Sequence, residues 1–289
     1  MAAYYNEIDC YAAQWLKNLI SNGLIAEGDV DTRSIKDVTA NDIKSYTQCH
    51  FFAGIGVWSY ALRMAGWGDD QQVWTGSCPC QPFSTAGSGH GFSDERHLWP
   101  ELFRLIKECN PPVLFGEQVK TAISHGWIDA VQDDMESINY AFAATGIPAA
   151  SVGAAHIRQR IFFVADKGFM ADPNTNGCVQ GQQIRSVRKK HDAEYGSAKI
   201  NPWSNPYWIS CGDSRLRPVE STTERMVDGV ADYLGFVRSG ESYVLLPTCK
   251  QWNNENRIGR LKCYGNAIVP QVAAMFIESY IDSLRDFKQ

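Results

Sequence analysis

The sequence contains no Cys-x-x-Cys pair, although it holds nine cysteines, at positions 10, 49, 78, 80, 109, 178, 211, 249 and 263. That scatter suggests neither a zinc site nor a disulfide framework, and reduced thiols fit it best. No apolar run approaches the ~20 residues that a membrane-spanning helix needs. The opening MAAYYNEIDC lacks the basic stretch and apolar core of a secretory leader. There is no internal repeat and no long biased tract, and with 44% hydrophobic and 20% charged residues the chain is not of disordered type. Positive charge is also short: the formal net charge is −5. The expectation is a soluble cytoplasmic protein with no membrane contact and no bound metal.

What is present is enough chain for one sizeable core with a smaller module, 289 residues. Across 1–165, short apolar runs alternate with helical patterns. Thr47–Ala53, Val73–Ser77, Val113–Gly116 and Ile161–Ala165 read as buried strands, and Ala12–Ile20, Val57–Ala65 and Leu98–Glu108 as helices. This alternation predicts an α/β fold, a mostly parallel sheet with helices on both faces. From 166 to 255 the chain turns to Asn, Ser, Gly, Pro and charge, and predicts an irregular inserted module. Between Lys167 and Arg217 eight Lys and Arg face four acids, a local excess of +4 that leaves −9 for the remainder. A basic face can hold a phosphate backbone even on an acidic chain; a solvated loop would look the same. Residues 268–284 return to an amphipathic helix pattern that packs back on the first part.

Five segments carry chemistry. The first, HFFAGIG from His50 to Gly56, places glycines between a strand and a helix, where the backbone can approach a ligand at the helix N-terminus. In parallel sheets ligands bind beyond the carboxyl ends of the strands. The second, GSCPCQPFSTAGSGHGFSDER from Gly76 to Arg96, sets Cys80 after a proline at a strand end, ahead of a loop with glycines at 87, 89 and 91. A thiol between a strand end and a loop that can close is well placed as a nucleophile. The third, LFGEQVK, puts Glu117 at another strand end, where burial can raise its pKa for proton donation. In the fourth, HIRQRIFFVA, Arg158 and Arg160 alternate and share a face. The fifth is YGNAIVP, Tyr264 to Pro270.

In this order the five segments resemble the signature of the DNA cytosine 5-methyltransferases: FAGIG, PCQ, EQV, HIRQR and GNAIVP. Gln118, His156 and Val57 depart from the family's Asn, Gln and glycine. The resemblance spans 1–165 and about 258–289, which it marks as a Rossmann-like, S-adenosylmethionine-binding catalytic domain, with 166–257 as the target-recognition module. It implies that Cys80 attacks a flipped-out cytosine, with Glu117, Arg158 and Arg160 as the other catalytic residues. Phe52, Ala53, Gly54, Ile55, Gly56, Asn266 and Ala267 would contact the cofactor, and Gln81, Ser84 and Arg96 would contact double-stranded DNA. A monomer suits such an enzyme. The role, whether restriction-modification, phage genome modification or regulation, is not legible, although the compact form suggests a phage or prophage enzyme. An RNA cytosine methyltransferase, a catalytically silent DNA-binding protein and an enzyme acting on free pyrimidines are the competing readings.

One spacing departs from the family. Only 26 residues separate Gly54 from Cys80, where the family fits two further strands, one ending in the acid that holds the cofactor ribose. Asp69 and Asp70 precede Val73–Ser77 and so lie at the wrong edge. The missing piece is expected at the N-terminus. Asn6–Leu19 (NEIDCYAAQWLKNL) resembles the acid-bearing segment and Gly28–Ile43 (GDVDTRSIKDVTANDI) the one after it. Sheet neighbours need not be sequence neighbours. In this rearranged order Glu7 would bind the ribose, Ile8 would pack on adenine, and Asp29 or Asp31 would accept from its amino group.

Overall fold

The computed structural model describes residues 2–79, 98–154, 156–168, 207–210, 216–219, 236–239, 242–245 and 262–286. A seven-stranded sheet organises them. In chain order its strands are β1 (Ala3–Asn6), β2 (Gly28–Asp31), β3 (Gln48–Phe51), β4 (Val73–Gly76), β5 (Val113–Val119), β6 (Ala141–Ile147) and β7 (Arg160–Asp166). Their spatial order is β2-β1-β3-β4-β5-β7-β6. Every pairing from β2 to β5 is parallel, and β7 runs antiparallel to both β5 and β6. The mostly parallel α/β architecture expected from the sequence is what the chain adopts.

Helices cover both faces because both faces of the strands are apolar. On one side α1 (Cys10–Ser21), α3 (Val57–Met64) and α7 (Pro270–Asp286) bury Trp15, Leu16, Leu19, Trp58, Leu62, Val272, Phe276 and Ile277 against the sheet. On the other side α2 (Ala40–Ile43), α4 (Trp99–Cys109) and α6 (Trp127–Ser137) contribute Ile43, Leu102, Leu105, Trp127 and Val131. A short α5 (Thr121–Ser124) follows β5. The polar residue at the centre, His50, is fully buried, is stacked on Tyr5 at 4.9 Å and meets Thr75 Oγ1 through Nδ1 at 2.8 Å. Burial pushes its pKa down to about 3, so it sits in the core as a neutral ring.

The strand that leads into the glycine loop, β3, lies inside the sheet. Its outer neighbour is β1, and β2 lies beyond that at the edge. The N-terminal segments therefore occupy the two sheet positions outside β3. Their amino ends meet at one edge: Thr47 N donates to Ala2 O at 3.1 Å and Val73 N to Thr47 O at 3.3 Å. Asp69 lies at that same edge, held by Arg63 at 2.6 Å.

The sequence reading missed β2 as a strand in its own right, and β6 with its preceding helix α6. β2 is only four residues long and half-buried, GDVD, with no apolar run to announce it. β6 is an edge strand with a mostly exposed face, AFAATGI. Between 166 and 257, where an irregular module with few regular elements is expected, the described residues form two small antiparallel pairs, β8 (Tyr207–Ser210) with β9 (Leu216–Val219) and β10 (Phe236–Ser239) with β11 (Ser242–Leu245). Asp166, the first residue expected in that module, belongs to the sheet: it ends β7 and accepts from Tyr280 Oη at 2.6 Å.

Candidate active site

At the carboxyl ends of β1, β3, β4 and β5 lies a cavity of about 350 Å³. Its floor is the turn after β3. Phe52 has φ 53°, Gly54 55° and Gly56 80°. The left-handed region is open to glycine but costs a bulky residue such as Phe52, and strain of this kind gathers at ligand sites. Nothing lies within 4 Å of where a Cβ on Gly54 would stand, so its face is open to the cavity, whereas a Cβ on Gly56 would press on Leu16 and Ile25 at 3.1 and 3.0 Å. Phe52, Ala53, Gly54 and Ile55 all line the cavity. Gly56 stands behind them, capping α3 from beneath.

The second wall comes from the end of β1. Glu7 Oε2 accepts from Gly54 N at 2.7 Å, and its Oε1 accepts from Asp9 N at 2.8 Å. Burial pushes the Glu7 carboxyl above the usual range, and those two N–H groups pull against it. Ile8 beside it is 66% exposed, an unusual position for an isoleucine, and it faces the cavity. Asp9 caps α1 by accepting from Tyr11 N and Ala12 N.

Asp29 and Asp31 are not brought to this wall. Asp29 accepts from Tyr46 Oη at 2.7 Å. Asp31 is gripped by Arg33 at 2.7 Å and by Tyr4 Oη at 2.7 Å. Burial works upward on Asp31, but Arg33 holds its carboxyl below the usual range. β2 is in register with β1, with Asp31 beside Asn6 at the strand ends, but the Asp31 carboxyl is turned to Tyr4 and Arg33 rather than to the cavity. The chain continues past them, and Ser34 and Ile35 line the cavity instead.

The opposite wall is built by β4, β5 and β7. Gly76 pairs with Gly116, which sets Ser77 level with Glu117 on the neighbouring strand. Glu117 is 8% exposed, and Arg160 Nε reaches its Oε1 at 3.0 Å. Burial raises the Glu117 pKa, opposed by the charges of Arg160 and Arg158 and by hydrogen bonds from Ser77 and Arg160. Gln118 turns back and donates to Cys78 O at 3.3 Å, pinning the strand end ahead of Cys80. Pro79, one residue before Cys80, lines the cavity. Cys80, Gln81, Ser84 and Arg96 lie outside the described residues.

The two arginines expected on one face divide their work. Arg160 enters the cavity and meets Glu117. Arg158, with φ 24°, donates to Gly265 O at 2.8 Å and to Ala267 O at 2.7 Å. It thereby moors the segment 262–268, which completes the cavity with Lys262, Cys263, Asn266 and Ala267. Lys262 Nζ closes the seam by an ion pair to Asp9 at 2.6 Å. Sequence reasoning missed Trp58, Ser77, Gln118, Lys262 and Ser34. Each lies within a few residues of a motif, but none has a residue type that announces chemistry. Among the described residues no group of His, Cys, Asp and Glu could hold a metal.

Residues 68–199 match the model of the C-5 cytosine-specific DNA methylase family. The type II methyltransferase M.HhaI of Haemophilus parahaemolyticus is 32% identical over 99 residues, 33% of this chain and 30% of that protein. M.FnuDI of Fusobacterium nucleatum is 35% identical over 120 residues, 40% of this chain and 34% of that protein. The chain thus spans about a third of the length of the curated relatives it matches. A solved structure of a Spodoptera frugiperda DNMT2 mutant is similar at 18% identity and TM-score 0.41, covering 59% of this chain and 44% of that one. The Dnmt2 methyltransferase of S. pombe matches at 14% identity and TM-score 0.38, covering 60% of this chain and 53% of that one.

Proposed function

We propose that this chain, whose residues 68–199 match the model of the C-5 cytosine-specific DNA methylases, transfers a methyl group from S-adenosylmethionine to carbon 5 of a cytosine flipped out of double-stranded DNA. The observation that carries the reading is the cavity itself. One wall presents a buried carboxyl and an open glycine turn, Glu7 and Gly54, and the other an ion-paired carboxyl, Glu117, next to the strand that delivers Cys80.

The residues fit the cofactor. The volume lies in the roughly 300–1,000 Å³ range of small-molecule sites. Glu7 holds its carboxylate among backbone N–H groups only, ready to accept from ribose hydroxyls. Exposed Ile8 offers an apolar surface to adenine, and Ser34 takes the position at the cavity that Asp29 and Asp31 do not reach. Asn266 and Ala267 border the cofactor from the far side, moored by Arg158. The cofactor supplies an electrophilic methyl group on a sulfonium.

The chain's own residues do the rest. Extruding the base costs a few kcal/mol, which DNA contacts must offset; Gln81, Ser84 and Arg96 supply them around the target. The Cys80 thiolate bonds to carbon 6 of the ring, and the displaced electron pair makes carbon 5 nucleophilic. Glu117 holds ring nitrogen 3 and the amino group, and Arg160 holds both the Glu117 carboxylate and the ring carbonyl oxygen. After transfer, a base removes the carbon-5 proton and the carbon–sulfur bond breaks, returning Cys80. Residues 166–257 form the target-recognition module, with Arg185, Arg188, Lys189, Lys190 and Arg217 as the basic side chains available for phosphate or base contacts.

The test is transfer of a labelled methyl group to duplex DNA, with the wild type and Cys80→Ala side by side. Label in DNA for the wild type alone is the expected result, with cofactor binding retained in the variant. Turnover by the variant would remove the covalent scheme. Label in RNA but not DNA would move the substrate to RNA.

A further inference from the structure

The wall that holds Glu117 contains two polar side chains that the proposed reaction does not use, Trp58 and Ser77. Trp58 lies on α3, the helix that begins at the glycine turn, and its indole Nε1 donates to Ser77 Oγ at 3.0 Å. An indole N–H can only donate. The direction of that bond is therefore fixed, and Ser77 is the acceptor in it. A hydroxyl has one proton, and here it is left free for a second partner. The carboxyl that stands level with it across the β4–β5 register, lining the same cavity, is Glu117. The indole is itself immobilised, stacked near Phe115 and edge-on to Phe162 in the core.

Resting on the methyltransferase reading above, we propose that Trp58 and Ser77 are positioning residues. The indole N–H turns the Ser77 hydroxyl so that its proton is donated to the Glu117 carboxyl, which couples the helix behind the cofactor turn to the group that holds the cytosine. Glu117 then receives two donors, Ser77 Oγ and Arg160 Nε. Both stabilise the ionised carboxylate, while burial disfavours it. Among the described residues, the other charged or titratable groups facing it are Arg158 and the buried Cys78 thiol. The relay sets how readily this carboxyl changes its protonation as the base binds.

The experiment follows the Glu117 carboxyl directly, by carbon-13 NMR titration of the full chain labelled at glutamate Cδ, its signal assigned by its absence in Glu117→Gln. Removing the hydroxyl with Ser77→Ala is expected to raise the Glu117 midpoint by about one pH unit, the worth of one hydrogen bond to a charged group. Ser77→Thr, which keeps the hydroxyl, is expected to restore it. Trp58→Phe, which keeps a ring and removes only the N–H, is expected to move it the same way by less, and reports independently if Ser77→Ala does not fold. The kcat–pH profile for DNA methylation should move with the midpoint. A midpoint unchanged in Ser77→Ala, or in Trp58→Phe where that is the variant that folds, overturns the relay. A midpoint that moves in a protein with no methyl transfer would overturn the functional reading and leave the relay standing.

Discussion

The two halves of the sheet reached their geometry by different routes. On the Glu117 side, β4 and β5 follow one another in the chain, β7 turns back between β5 and β6, and Glu117 and Arg160 meet at 3.0 Å. On the Glu7 side the order runs back on itself: β1 and β2 come first, then β3 takes the inner position. Yet that side closes just as tightly, with Glu7 Oε2 on Gly54 N at 2.7 Å across 47 residues. Parallel pairing asks for buried, matched strands and leaves the route between them free. What the site needs is which strand ends lie side by side, and either connection delivers it.

This contrast can be broken from either side. The largest expected effect is at Glu117: Glu117→Gln should lower kcat by roughly 10²–10⁴-fold while cofactor affinity measured by calorimetry barely moves. A comparable loss of cofactor affinity would mean that the two walls are not separable. Next, Glu7→Ala should weaken cofactor binding by roughly ten- to a hundredfold, and Asp69→Ala should not, since Asp69 sits at the opposite sheet edge on Arg63. The reverse ranking would place the cofactor elsewhere. Arg158→Ala unmoors Gly265 and Ala267. It should cost about 1–3 kcal/mol, read as a fall in Tm of roughly 2–4 °C per kcal/mol, and should raise KM for the cofactor. The smallest effect, close to none, is expected from moving residues 2–46 to follow Gly66 through short linkers. The amino ends of β1, β3 and β4 already adjoin, so the reconnected chain should keep its Tm within a few degrees and still bind cofactor. Loss of binding there would show that the present chain order matters to the site.

Much of this was legible in the residues. The strands of β3, β4, β5 and β7 are apolar runs bounded by turn residues, and three of the five motifs sit at or just after the ends of the parallel strands β3, β4 and β5. The N-terminal segments were expected in the sheet beside the glycine-loop strand, and β1 and β2 do lie there. The position of the acids on β2 was not legible. Asp29 and Asp31 have the right residue type in the right segment, but Tyr46 takes the one carboxyl and Tyr4 and Arg33 the other, contacts that no local pattern in GDVD announces. The relay through Ser77 and Trp58 was equally hidden, since it depends on two elements 19 residues apart meeting at 3.0 Å.

The seam between Asp9 and Lys262 gives the site a sense of time. A chain is synthesised from its amino end at about 5–20 residues per second. Residues 2–79 can gather the glycine turn, Glu7 and Ser77 early, but the far wall waits for residues 262–268, drawn in by Lys262 on Asp9 and by Arg158 on two carbonyls. A nascent or prematurely stopped chain therefore carries a cleft with one side missing. The cleft closes only once residues 262–268 have joined it.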